Sequence, residues 1–231
     1  MRILTDNIMP LTKLIADTGK LAEASIAKGD VTGWFEELYV AASGDPKIIP
    51  WADQQPKRYL IEWLDKNNIQ GEGKRAMVIG CGLGDDCEEL ERRGFDVTGF
   101  DISPTAIEWA KQRSPNSKVD YQVADLFKLP NAWLGTFDFV FECYTIQALP
   151  RSVRSDVISK VASLVAPNGE LLVVCRGWRD DQKEDNLPWA LKREELQQFK
   201  TLGFSEISFE DFLDYDDPER KRFRVLYKRT D

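Results

Sequence analysis

The sequence predicts an α/β fold in which a mostly parallel sheet carries helices on both faces. Three observations predict it. From about residue 75 onward, strand-like and helix-like segments alternate, an order satisfied by parallel strands joined through crossover helices. Glu170-Leu-Leu-Val-Val-Cys175 is a near-continuous apolar run, the pattern of a strand covered on both sides. Met77-Val-Ile-Gly-Cys-Gly-Leu-Gly-Asp-Asp86 leads a buried-looking strand through a tight glycine turn into a helix.

The elements follow in chain order. Before residue 75 the pattern is helical, over 8–27, 33–42 and 53–67, with an aromatic connector Ile48-Ile-Pro-Trp51. Residues 1–70 supply no strand. They are expected to pack as a lid across the edge of a domain formed by 71–231, within one globular unit. A strand is predicted over 75–80, then a helix over 83–93 with Leu83, Cys87 and Leu90 on one face. A second strand over 96–101 ends on Asp101. Pro104 suits the first turn of a helix over 104–113, and Ser103 can cap it. Strands follow over 118–123 and 137–141. In 152–166, Val153, Val157, Val161 and Leu164 form a helical stripe widened by Ile158 and Val165, and Asn168-Gly169 closes it. A last helix over 193–202 precedes strands over 205–212 and 222–227. The polar segment 214–219 joins those strands without a helix, so they are antiparallel if adjacent.

Composition narrows the function. At 231 residues, 42% hydrophobic and 30% charged, the chain can build one substantial core. No apolar run approaches the roughly 20 residues needed to cross a bilayer. The start, Met1-Arg-Ile-Leu-Thr-Asp-Asn7, lacks the apolar segment of a secretory leader, so a cytoplasmic protein is expected. The net charge is −8 and Lys and Arg are scattered; their densest group, Arg220-Lys221-Arg222, lies beside the acidic 214–219 run. Nucleic-acid and membrane partners are therefore not expected. The chain has no histidine, and Cys81, Cys87, Cys143 and Cys175 form no CxxC pair. No metal site is expected, and no mechanism can use a histidine base. The cysteines read as small buried hydrophobes in a reducing compartment.

The glycine loop carries the chemistry. Gly80, Gly82 and Gly84 make G-x-G-x-G, whereas a dinucleotide fingerprint needs glycine at 85, where Asp85 stands. Asp85 and Asp86 would repel a pyrophosphate and accept a ligand with a cationic end; they also suit a helix start, and the two roles are compatible. Asp101 ends the second strand at the distance expected of an acid that takes ribose hydroxyls. Asp125, in Val123-Ala-Asp-Leu-Phe127, follows the third strand. It can accept from an exocyclic adenine amine or simply form a turn.

These features resemble class I S-adenosylmethionine-dependent methyltransferases, from about residue 75 to the end. The resemblance implies a Rossmann-like sheet of seven strands with the last antiparallel, and S-adenosylmethionine as cofactor, leaving as S-adenosylhomocysteine. It implies Gly80, Cys81, Gly82 and Gly84 against the methionine part, Asp101 with Ile102 at the ribose, and Asp125 with Leu126 near adenine. Val78 departs from the pattern, since many members carry there an acid that steadies the loop.

A narrower resemblance lies in Trp34…Tyr39…Ile49-Pro-Trp51, in Cys143-Tyr-Thr-Ile-Gln-Ala-Leu-Pro150, and in Leu187-Pro-Trp189 followed by Glu194-Glu-Leu196. These segments look like the thiopurine/thiol/halide methyltransferase group and its bacterial relatives. They imply that Trp34 and Trp51 cover the cofactor, whose sulfonium suits aromatic faces. Some of the seven tryptophans must nevertheless be plain core, and Trp51, beside Pro50, is the stronger candidate. Glu142, Cys143 and Tyr144 end the fourth strand and are candidates for lining the transfer site, with Glu142 also counted among the cofactor contacts.

The expected reaction is methyl transfer to a small-molecule acceptor. A thiol fits best, because it ionises near neutral pH without a histidine base. The alternatives are O- or N-methylation of a small metabolite and a catalytically silent cofactor-binding module. Asp85 counts against an NAD oxidoreductase. The oligomeric state stays open, with a monomer favoured.

Overall fold

The computed structural model describes residues 18–181 and 187–230. Among them, seven strands form one sheet in the order β3-β2-β1-β4-β5-β7-β6. They are β1 Arg75–Ile79, β2 Asp96–Asp101, β3 Asp120–Val123, β4 Phe137–Cys143, β5 Val165–Gly177, β6 Phe204–Leu213 and β7 Lys221–Arg229. Strands β1 to β5 run parallel. Strand β7 lies between β5 and β6 and is antiparallel to both. The strand order reverses between β1 and β4, and in such sheets ligands bind outside the carboxyl ends at that point.

Alternation along the strands builds two apolar layers. Met77, Ile79, Val140, Leu171 and Val173 face the helix Arg154–Leu164 through Val157, Ile158 and Val161. Ala76, Val78, Phe139, Phe141, Leu172 and Val174 face the helices Arg58–Lys66, Asp85–Arg92 and Pro104–Arg113. Trp63 stacks on Phe139 with ring centroids 5.6 Å apart. The helix Arg58–Lys66 thus covers a sheet face through Tyr59, Leu60, Trp63 and Leu64, which corrects the expectation that all of residues 1–70 form a lid. It starts later than the predicted 53–67, because Gln54 takes φ 56 and Pro56 keeps the residue before it out of the helical region.

The segment nearer the start does cap the edge of the sheet. The helix Gly33–Ala42 matches its predicted bounds. Leu38, Tyr39, Ala42, Ile48 and Ile49 close over Leu83 and Ala106. Of the predicted helix over 8–27, Thr18–Ala27 is helical and residues 8–17 lie outside the described residues. Ser103 caps the helix Pro104–Arg113 as expected, its Oγ accepting from Ala106 N at 2.9 Å. The same hydroxyl donates to Glu36, and Thr105 donates to Glu36 from Oγ1 at 2.7 Å and from N at 3.2 Å. One carboxylate therefore ties the cap to the start of the helix Pro104–Arg113. Glu36→Ala is expected to cost roughly 1–3 kcal/mol of stability, measured by urea unfolding, because it removes a charged acceptor from these donors.

Two further boundaries differ from the pattern. The helix predicted over 152–166 ends at Leu164, and Val165 already pairs with Phe137 in β5. Leu164 and Val165 are both fully buried, so apolar periodicity carries no mark at the change from helix to strand. Asn168, with φ 62, lies within β5 where its register to β4 shifts. The helix predicted over 193–202 breaks at Gln197 into Arg193–Leu196 and Gln198–Thr201. Among the described residues, no helix is long and apolar enough to cross a membrane.

Candidate functional site

A cavity of about 810 Å³ opens at the carboxyl ends of β1, β2 and β4, beneath the cap. The glycine loop forms part of its floor. Gly80 has φ 59, and a Cβ there would lie 2.6 Å from Thr145 Oγ1. Gly82 has φ 53, and a Cβ there would lie 3.1 Å from the Tyr39 hydroxyl of the cap. Glycine lets both the backbone turn and the close approach occur. Gly84 lies off the cavity, against Tyr121, at the start of the helix Asp85–Arg92.

Asp101 lines the cavity and is nearly buried. Its Oδ2 accepts from Gly82 N and its Oδ1 from Ser103 N, both at 2.9 Å. This carboxylate braces the glycine loop, in a chain where Val78 offers no acid. Burial raises its pKa against the opposing pull of those backbone bonds. Ile102, Asp125 and Leu126 continue the same wall. Asp125 Oδ1 accepts from Phe127 N at 2.9 Å, so the turn-forming role is present.

Trp34 and Trp51 both line the cavity and meet edge to face, with centroids 5.8 Å apart. Trp51 Nε1 donates to the Tyr39 hydroxyl at 2.9 Å. Trp34 is 1% exposed, stacks on Phe35, and its indole N–H has no partner among the described residues.

The end of β4 departs most from expectation. Glu142 does not line the cavity: it is fully buried, and its Oε1 accepts from Thr145 N at 2.7 Å and Ile146 N at 3.0 Å. The short helix Thr145–Ala148, which no pattern announces, begins on that carboxylate and turns the side chain inward. Burial pushes the Glu142 carboxyl up to about 7. A raised carboxyl pKa means the folded state binds a proton the unfolded chain has lost, so this group lowers stability as pH rises from about 4.5 to 7. Glu142→Gln keeps an oxygen for both backbone donors. It should stabilise the protein more at pH 8 than at pH 5, with a difference of up to about 3 kcal/mol in urea unfolding.

Cys143 and Cys81 line a smaller recess of about 70 Å³ that shares Gly80 and Tyr144 with the cavity, and burial pushes both thiols up. Cys81 Sγ also packs near Gly99 and Cys87. Asp86 borders this recess and accepts from Lys57 N at 2.7 Å; burial pushes its carboxyl up to about 6. Tyr144 lines both spaces, with φ 71. The Arg222 guanidinium lies 4.7 Å from its ring centroid, and burial raises its phenol far above the ordinary value. Tyr144 is therefore a neutral donor and no base.

Sequence reading missed the far wall, formed by Lys57, Tyr59, Gln147, Arg176, Tyr215 and Arg222. Of these, Gln147 lies inside a motif singled out above, and Arg222 ends the basic group Arg220-Lys221-Arg222, which was read for its charge alone. The others come from segments brought together by the hairpin of β6 and β7. Among the described residues, no group of three or more Cys, Asp or Glu is placed to hold a metal ion.

This sheet order, with the cavity at its reversal, defines the class: the fold is that of the class I S-adenosylmethionine-dependent methyltransferases. Solved structures agree in fold. The N-methyltransferase NodS from Bradyrhizobium japonicum WM9, in complex with S-adenosylhomocysteine, superimposes with a TM-score of 0.66 at 18% identity, over 85% of this chain and 98% of that one. The 1,6-didemethyltoxoflavin-N1-methyltransferase of Burkholderia thailandensis does so with 0.67 at 16%, over 85% and 88%. The chain belongs to the thiopurine S-methyltransferase (TPMT) family, whose model matches residues 45–229. It is 27% identical to probable thiol methyltransferase 2 of Arabidopsis thaliana over 167 residues, 70% of this chain and 71% of that protein. It is 34% identical to the ubiquinone biosynthesis O-methyltransferase of Dechloromonas aromatica (strain RCB) over 126 residues, 54% of this chain and 52% of that protein. The chain spans about half the length of the ubiquinone biosynthesis O-methyltransferases it matches.

Proposed function

We propose that this protein transfers the methyl group of S-adenosylmethionine to a small acceptor, and that the acceptor is a thiol. The observation that carries the reading is the glycine cradle braced by Asp101 under an aromatic cap. The residues present fit the cofactor. Gly80 leaves backbone open where a Cβ would collide with Thr145, and the cavity takes a nucleoside-sized ligand. Asp101 spends one lone pair of each oxygen on backbone N–H groups, so each oxygen has acceptor capacity for a ribose hydroxyl. Asp125, Ile102 and Leu126 would flank the base. Trp34, Trp51 and Tyr39 would close over the sulfonium and keep water out.

S-adenosylmethionine, when bound, would supply a methyl carbon activated by its sulfonium: a new bond from an acceptor thiolate to that carbon would form as the sulfonium C–S bond breaks, its electron pair leaving with S-adenosylhomocysteine. The chain's part is to hold the nucleophile about 3–3.5 Å from that carbon and exclude solvent. Its cavity supports a nucleophile that ionises by itself. The Tyr144 phenol is held protonated, Glu142 faces the core, and Asp214 is held low beside Arg222, whose Nη2 is 2.6 Å away. None of these three groups is placed to make an alkoxide, or a neutral amine from its ammonium form, whereas a thiol ionises near neutral pH without such help. Likeness to a probable thiol methyltransferase supports the same acceptor.

Incubation with S-adenosylmethionine carrying a labelled methyl group, against thiols, phenols, amines and carboxylic acids, tests the reading. Thioether products are expected, with the thiol losing its proton to solvent. Methylated phenols or amines without any thioether would refute the thiol acceptor. Tight S-adenosylhomocysteine binding with no product in any class would establish a silent module.

A further inference from the structure

We infer that Asp86 binds the ammonium of the cofactor's amino-acid end in the recess beside the glycine loop, and that this contact sets the protein against nucleosides lacking that end. The inference rests on the methyl-transfer reading above. The recess adjoins the cavity: Tyr39, Trp51, Lys57, Gly80 and Tyr144 line both. At about 70 Å³ it is too small for a nucleoside and takes a group of a few atoms. Three carboxylates line it, those of Asp53, Asp85 and Asp86. Two of them are answered. Asp85 holds Arg113 at two points, Nη2 to Oδ1 at 2.8 Å and Nη1 to Oδ2 at 3.1 Å. Asp53 Oδ2 takes Lys57 Nζ at 2.5 Å. Asp86 differs: Lys57 N donates to its Oδ1 at 2.7 Å, and it forms no ion pair among the described residues.

The charge of the recess gives the sign of its ligand. Asp86 is half-buried, and a carboxylate drawn from water without a counter-ion is costly. The other groups around it supply no cation, since burial keeps the Cys81 and Cys143 thiols and the Tyr39 and Tyr144 phenols neutral. Lys57 is already engaged: Nζ donates to Asp53 and, at 2.9 Å, to Trp51 O. An ammonium has three donors, so one of Lys57 is left over among the described residues. The recess therefore offers an unanswered carboxylate beside a partly used ammonium. The amino-acid end of the cofactor carries the complementary pair, an ammonium and a carboxylate on one carbon. A pyrophosphate at the same place would meet three carboxylates. The acids at the helix start thus divide: Asp85 holds the protein's own arginine, and Asp86 faces the ligand.

The test is calorimetric titration of the whole chain with S-adenosylhomocysteine, with its analogue in which hydrogen replaces the α-amino group, and with methylthioadenosine, which lacks the amino-acid end. Wild type is expected to bind S-adenosylhomocysteine at least about tenfold more tightly than either, the range of a hydrogen bond to a charged group. Asp86→Asn keeps an oxygen for Lys57 N and removes the charge. It should bring S-adenosylhomocysteine close to the desamino analogue while methylthioadenosine binds as it does to wild type. Asp86→Ser is the second variant, with the same expectation. Asp85→Asn should keep the wild-type ratio, because that acid is spent on Arg113. Equal binding of S-adenosylhomocysteine and the desamino analogue by wild type would overturn the assignment. So would a ratio retained in a folded Asp86 variant, or one lost as fully through Asp85→Asn. Binding of none of the three by folded wild type would instead bring down the methyl-transfer reading, and this inference with it.

Discussion

Asp101→Ala should weaken S-adenosylhomocysteine binding by at least about tenfold, since each charge-assisted bond to a ribose hydroxyl is worth roughly 1.5–3 kcal/mol. It should also lower unfolding free energy by roughly 1–3 kcal/mol, as Gly82 N and Ser103 N lose their acceptor. A strand-end carboxylate read from sequence alone would touch only the ligand; here it holds the loop as well. Asp101→Asn separates the two roles. It keeps one oxygen for a backbone donor and removes the charge, so stability should recover more than affinity. Calorimetric titration and urea unfolding on the same samples measure both.

Gly80→Ala should be the second large effect. The backbone at φ 59 disfavours any Cβ by roughly 1–2 kcal/mol. The added methyl would also sit 2.6 Å from Thr145 Oγ1, whose own bond to Ile79 O at 3.3 Å would have to give. The expected outcome is a lower melting temperature together with a loss of S-adenosylhomocysteine affinity of at least about tenfold, the size expected from a few tenths of an ångström at a close contact. Gly135→Ala is the control: it has φ 66 and open space around it. It should show the strain in melting temperature and leave affinity alone. Equal affinity loss in both variants would mean that the effect is global softening and no property of the cradle.

Most of the sheet was legible because its signals are local. The glycine turn, the apolar run of β5, the Ser103 cap and the helix-free link between β6 and β7 each lie within a few residues. Residues 33–42 even match to the residue. What was not legible depends on distant contacts. Leu164 and Val165 look like one helical stripe, and only pairing with Phe137 divides them. Glu142 sits at a strand end that faces ligand in this fold, yet Thr145 N and Ile146 N draw it inward. The arginines of the far wall belong to β5 and β7, and nothing local relates Arg176 to Arg222 before the strands pair. The cofactor edge is thus mostly written in short motifs, while the acceptor edge is assembled by topology.

The most direct test of the central claim is calorimetric titration of the wild-type protein with S-adenosylhomocysteine and, separately, with NAD. One site per chain for S-adenosylhomocysteine, displaced by S-adenosylmethionine and unaffected by NAD, is the result predicted by a glycine cradle with Asp85 at its helix start. Binding of NAD at that site, or no heat with S-adenosylhomocysteine from a folded sample, would contradict it.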